Sequence, residues 1–184
     1  MLPFKPPHQA PLADALAEAF SRQRRLIDDL DDAHLAVPYH PGINPPLWEC
    51  GHAAFFYEVF VLRGQLGHAA LMPGFDPIWD SFDIDHEDRW LPGVVPPRAA
   101  VLDYMQTVQA AVLNVLAQAE PTPELTYRLR YAVAHQHMHV ESMLWARQTL
   151  GYPAPAGMLT EAVPGTPGDQ EIPAGTYTLG MPGG

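Results

Sequence analysis

Residues 122–153 read TPELTYRLRYAVAHQHMHVESMLWARQTLGYP, and the two ends of this stretch decide what lies between them. Thr122 is a residue of the N-cap type, and Pro123 stands where a first helical position tolerates a missing N–H. Gly151 and Pro153 follow the last apolar residue, Leu150, as a helix stop. The spacing predicts one long helix from Pro123 to Leu150. Inside it, His135, His137 and His139 crowd into AHQHMHVES. Each helical residue turns by ~100°, so residues four apart share a face and residues two apart diverge by about 200°. His135 and His139 can therefore converge on one point. His137 is directed away from them, on the side of Glu141, and reads as half of a surface pair.

Three further stretches carry the same period. Leu12, Leu16, Ala19, Phe20, Leu26 and Leu30 form an apolar stripe over residues 12–30. Asn44, read as an N-cap, precedes Pro45, Pro46 and the run LWECGHAAFFYEVFVLR, which stops at Gly64. Val101, Met105, Val108, Val112 and Val115 place another helix from Pro97 to Ala119. The 21 prolines fall between these segments and act as punctuation. The expected fold is all-α, an antiparallel four-helix bundle over residues 1–153. The Gln65–Pro96 connection is too long for a bare loop in a compact domain, so its Trp79, Phe82 and Trp90 are expected to pack across one end of the bundle.

After Pro153 the character changes. APAGMLTEAVPGTPGDQEIPAG has a linker composition, and GTYTLGMPGG offers one alternating pattern, Thr176 to Leu179, as a candidate β-strand. A single strand is not stable alone, so residues 154–184 are expected to be a linker and the start of a further unit.

Composition removes several classes of function. A net charge of −11 with no Lys/Arg run argues against binding nucleic acid or an anionic membrane. The apolar runs fall short of the ~20 residues a membrane span needs. The N-terminal MLPFKPPHQAPL lacks the basic start and apolar stretch of a signal peptide, and the lone Cys50 forms no internal disulfide. A cytoplasmic protein is expected.

The third candidate ligand lies upstream. His52 sits among Trp48, Phe55, Phe56, Val59 and Phe60, and an imidazole in such company needs a partner, because an unpaired buried polar group costs about 1–3 kcal/mol. One reading bonds it to a backbone carbonyl of the core. The other turns it toward His135 and His139 across the bundle, where metal sites are built from facing helices. Three neutral imidazoles suit Fe, Ni, Co or Zn, and ligand type alone does not choose among them. His8, His34, His40 and His68 read as solvated, and His86 belongs to the long connection. Glu49 and Glu58 read as solvent-facing, and Cys50 as a buried, inert thiol.

Taken in order, INPPLWECGHAAFFYEVFVLR, SFDIDHEDRW and AVAHQHMHVESMLWARQTLGYP resemble the N-terminal DinB-like (DinB/YfiT-like) domain of ergothioneine-biosynthesis sulfoxide synthases. The form PGINPPLWECGH is similar to the selenoneine-synthase branch. IPAGTYTLG resembles the first strand of the formylglycine-generating-enzyme-like domain that follows in those enzymes, so the chain is expected to hold only the beginning of that domain. The resemblance implies a mononuclear non-haem Fe(II) held by His52, His135 and His139, with Ni, Zn or Co as substitutes. It implies O2-dependent formation of a C–S or C–Se bond to hercynine, with a thiol or selenium donor. Three protein ligands leave three positions on an octahedral ion. Trp48 and Glu141 match the helix motifs, and Trp48 is a candidate substrate contact. Arg89 matches a region that offers arginines to substrate carboxylates, a salt bridge to Asp85 or Asp88 being the alternative. Met138 stands where relatives can carry a substrate-contacting amide. The family's catalytic tyrosine belongs to the second domain, so turnover by this stretch alone is not expected.

Two other readings compete. One is a stand-alone Zn- or Ni-dependent DinB-like thiol transferase. The other is a non-catalytic helical dimerisation module, with the apolar second helix as a homodimer face. Histidines more than about 8 Å apart would favour the latter, because imidazole ligands each reach within ~2.0–2.2 Å of a shared ion.

Overall fold

A computed structural model describes residues 11–118, 121–158, 165, 168–169 and 171–177. It is all-α, with no strand among the described residues. Six α-helices follow in order: α1 (Leu12–Asp28), α2 (Asp32–Leu35), α3 (Pro46–Tyr57), α4 (Asp76–Trp79), α5 (Arg98–Gln118) and α6 (Pro123–Thr149). A π-helical turn (Glu58–Arg63) continues α3, and a 3₁₀ turn (Glu87–Trp90) lies in the connection to α5.

The stretch from Thr122 behaves as its ends dictate. The Thr122 side chain accepts from Leu125 N–H at 3.2 Å, and Gly151 takes the left-handed conformation (φ 69°) that ends α6. Asn44 is not the cap expected of it. Pro45 occupies that position, and the Asn44 side chain is drawn into contacts with Glu49 and Arg89 instead.

α1, α5, α3 and α6 pack in a closed cycle, with a slighter contact between α1 and α3 across it. Side-chain contacts give their directions. Arg147, near the end of α6, reaches Leu26 and Asp29 near the end of α1, so these two helices run parallel. Glu49 and Tyr57 of α3 meet Ser142 and Gln136 of α6, so this pair is antiparallel. Arg98 at the start of α5 caps Ile27 and Leu30 at the end of α1, another antiparallel pair. α5 therefore runs alongside α3 in the same direction. A short turn cannot join parallel neighbours, and residues 65–96 supply the return path.

The core follows the predicted stripes. Leu16, Ala19, Phe20, Leu26 and Leu30 are buried, as are Val101, Met105, Val108 and Val112, with Val115 partly covered. α3 is buried nearly all round, as a helix without a polar face must be. Its apolar faces are therefore consumed within the chain. Trp79 from the connection is fully buried against α3 and α5, and Trp90 donates to Val37 O at 3.0 Å. Phe82 breaks the expectation: at 96% exposure it belongs to a turn whose backbone is held by Asp80. In the tail, Thr176 and Tyr177 lie outside any strand, and the rest of the candidate strand, Thr178 and Leu179, falls outside the described residues, as does His8.

Candidate metal centre

Antiparallel packing sets one turn of α3 against one turn of α6. His52 projects from the first, His135 and His139 from the second. Their ligand atoms all lie within 4.8 Å of one another. That is far inside the separation a bystander set would have. His52 and His139 are each 7% exposed, and His135 is half-buried with Phe56 stacked on it at 3.9 Å. His137 points elsewhere, toward Glu18 of α1 at 3.5 Å rather than toward Glu141.

The hydrogen bonds around the rings determine what the site offers. His52 Nδ1 lies 2.7 Å from the Trp79 carbonyl oxygen, which can only accept, so Nδ1 carries the proton and Nε2 is a bare lone pair. One nitrogen of His52 thus serves the core and the other faces the pair. His139 Nδ1 likewise donates to a carboxylate oxygen of Glu49. Its Nε2 is 3.2 Å from His135 Nε2. His135 Nδ1 is buried and has no partner. Lone pairs gathered in so small a volume repel one another unless a cation stands between them, so the donor set fits a metal of the imidazole-binding type. Burial pushes the His52 imidazole down to about 4 and that of His135 to about 3, with the other imidazoles adding to the effect. Both are therefore neutral and competent as ligands at neutral pH.

Two buried carboxylates, of which Glu49 touches the triad, were missed by the sequence reading. Glu49 and Glu58, expected in solvent, are 2% and 1% exposed. The available signal was the absence of any polar face in LWECGHAAFFYEVFVL, which leaves an acidic residue on that helix nowhere to go but inward. Glu49 Oε1 accepts from Asn44 Nδ2 and from Ser142 Oγ, both at 2.9 Å, while Oε2 takes His139. Burial pulls the Glu49 carboxyl upward, but the bonds from His139, Asn44 and Ser142 outweigh it and hold the group below its ordinary value. Glu58 accepts from Tyr104 at 2.6 Å and from Leu71 N–H at 2.9 Å, which ties the connection to α3 and α5.

The remaining candidates are placed as follows. Trp48 stacks on His52 with ring centroids 4.7 Å apart and donates its N–H to Ile78 O at 2.7 Å. Arg89 lays its guanidinium over the Trp48 ring at 3.9 Å and donates to Asn44 Oδ1 at 2.6 Å, so its bond goes to Asn44 and not to Asp85 or Asp88. Met138 is 52% exposed and lies three residues from His135, outside the triad. Glu141 is exposed. His86 bonds Ile43 O at 2.9 Å, which makes it a brace for the connection. Cys50 is fully buried, and burial pushes its thiol up, which leaves it inert.

An all-α chain with three nitrogen donors facing one another across two packed helices defines a class, that of helical proteins with a preformed three-histidine site. Within that class the chain belongs to the DinB superfamily, whose profile matches residues 15–143. It is also similar to three proteins named hercynine oxygenase. With that of Mycolicibacterium thermoresistibile it shares 33% identity over 165 residues, covering 88% of this chain and 36% of that protein. The Mycolicibacterium smegmatis protein is 31% identical over 181 residues, covering 92% of this chain and 40% of the relative. The Mycobacterium tuberculosis protein is 35% identical over 138 residues, covering 73% and 32%. The chain thus spans about a third to two-fifths of the length of the curated relatives it matches. No helix among the described residues is long and apolar enough to cross a membrane.

Proposed function

We propose that residues 1–153 are the metal-holding half of a non-haem Fe(II), O2-dependent enzyme that forms a C–S or C–Se bond to hercynine. The observation that carries this reading is the convergence of His52, His135 and His139, whose donor atoms lie within 4.8 Å of one another in a chain similar to hercynine oxygenases. In this reading residues 154–184 lead into a second domain that supplies the rest of the substrate pocket. Iron, when bound, would supply the redox chemistry that activation of O2 requires. Ni, Zn and Co fit the same donors and are expected to compete for them in a purified sample.

The chain's own residues have four tasks here. His52, His135 and His139 present ring nitrogens to one point. Trp48, the Trp79 carbonyl and Glu49 keep two of those rings in one orientation. Arg89, held on Trp48 beside the triad, offers a fixed cation to a substrate carboxylate from the long connection. Met138, on the exposed side of α6, would place a thioether rather than an amide toward the substrate's approach.

Metal analysis tests the core of the proposal. After anaerobic loading with Fe(II), the wild-type chain is expected to retain about one equivalent. His52→Ala, His135→Ala and His139→Ala should each lose it without loss of helix content by circular dichroism. Equal iron in the triple variant and the wild type would sink the triad.

A further inference from the structure

Glu49 is a buried carboxylate that the helix could have done without, and burying one is costly unless it is hydrogen-bonded. Its two oxygens are divided between different tasks. Oε1 receives both neutral donors, Asn44 Nδ2 and Ser142 Oγ, each at 2.9 Å. Oε2 is left to His139 Nδ1 alone. Asn44 is in turn held by Arg89 Nη1 at 2.6 Å, so the carboxylate is clamped from the connection as well as from α6. A side chain with three rotatable bonds, fixed by three partners on two segments, has one direction left in which to point.

We propose that Glu49 is a positioning residue that fixes His139 as the Nδ1–H tautomer and aims its Nε2 into the triad. A carboxylate on the far nitrogen also makes that imidazole a stronger donor to a cation. The role rests on the triad reading above and adds a residue to it that touches neither metal nor substrate. Asn44 and Ser142 act one step further out, by holding Glu49. Trp79 does the same for His52 with a neutral carbonyl, so the two ligands are held by partners of different strength. Among the three rings, His135 is the one whose far nitrogen has no such partner.

Two measurements on the 184-residue chain test this. The first needs no variant: long-range ¹H–¹⁵N correlation spectra of the metal-free wild type at neutral pH report which nitrogen of His139 carries the proton. Nδ1–H is expected, and a predominant Nε2–H tautomer overturns the proposal. The second is titration with Co(II), followed by its visible absorption. Glu49→Gln keeps the shape and removes the charge, and it is expected to weaken Co(II) binding by about ten- to a hundredfold with a changed spectrum. Ser142→Ala, which leaves Glu49 in place, should lose less. Unchanged affinity and spectrum in Glu49→Gln would remove the positioning role while leaving the triad standing. A wild-type chain that takes up no Co(II) would instead fail the triad itself, and the proposal with it.

Discussion

Gly51 occupies the residue position on which the site depends most closely without contributing a side chain. A Cβ there would come within 2.3 Å of the Trp79 ring, which is fully buried and whose Nε1 makes no hydrogen bond. The ring is present for its volume, and its backbone carbonyl holds His52. Gly51→Ala must therefore displace Trp79. It is expected to destabilise the chain by about 1–3 kcal/mol in urea unfolding and to weaken Co(II) or Fe(II) uptake as His52 loses its partner. Trp79→Leu should leave more space but the same carbonyl, and so cost stability more than metal. The histidines also make a prediction about pH. In the metal-free chain, burial first of all lowers His52 to about 4 and His135 to about 3, below the ordinary imidazole range. The unfolded chain then takes up protons that the folded chain refuses, so stability present above pH ~6.5 falls as pH drops toward those lower values. Denaturant midpoints measured from pH 7.5 to 4.5 should decline, and His135→Asn should flatten the decline.

At the scale of elements, helix ends are held by arginines from neighbouring helices. Arg98 of α5 donates to Leu30 O at 2.6 Å and Ile27 O at 2.9 Å, and Arg147 of α6 donates to Leu26 O at 2.8 Å and forms two bonds of 2.8 Å to Asp29. Arg128 donates to Phe60 O at 3.1 Å in the π turn that follows α3. The last carbonyls of a helix lack partners within it and carry the negative end of its dipole, so a cation there is doubly favoured. Three of the chain's ten basic residues are used this way. Arg147→Ala, at a buried residue, should cost about 2–3 kcal/mol in urea unfolding, because bonds to a charged group are the strong ones. Asp29→Asn should cost less, its carboxylate being partly in water. The Arg147 bond holds Asp29 below the usual carboxylate range, so the stability that this pair contributes is present above about pH 4 and is lost as acid protonates Asp29.

The whole molecule is kept in register by a buried polar chain that no single helix reveals. Tyr57 OH donates to Gln136 Oε1 at 2.9 Å, Gln136 Nε2 donates to Gln23 Oε1 at 2.9 Å, and Gln23 Nε2 reaches Glu49 O at 3.2 Å. All are inaccessible to solvent or nearly so, and a slide of α1, α3 or α6 by one residue would leave several of these groups unpaired. The triad depends on the same register, since it joins α3 to α6. Gln136→Leu is expected to destabilise by about 1–3 kcal/mol, through the orphaned Tyr57 hydroxyl and Gln23 amide. A urea midpoint equal to the wild type would refute that account.

Much of this was legible in the sequence, because it depends on local chemistry. Helix starts and stops at Thr122 and Gly151, the stripes on α1 and α5, and the division of AHQHMHVES into a converging pair and an outward His137 follow from backbone geometry and a ~100° turn per residue. Three things needed the tertiary structure. One is the direction of α5 alongside α3, since a connection as long as residues 65–96 permits either sense. Another is the fate of Glu49, Glu58 and Asn44, whose partners on other segments lie from five to ninety-three residues away and leave no periodic trace. The last is the choice the sequence left open at His52, where packing gives one ring nitrogen to the Trp79 carbonyl and brings the ligand atoms of His52, His135 and His139 within 4.8 Å of one another. Local propensity extends over a turn or two of helix. A site assembled across helices exists only once burial and hydrogen bonding have chosen which turns meet.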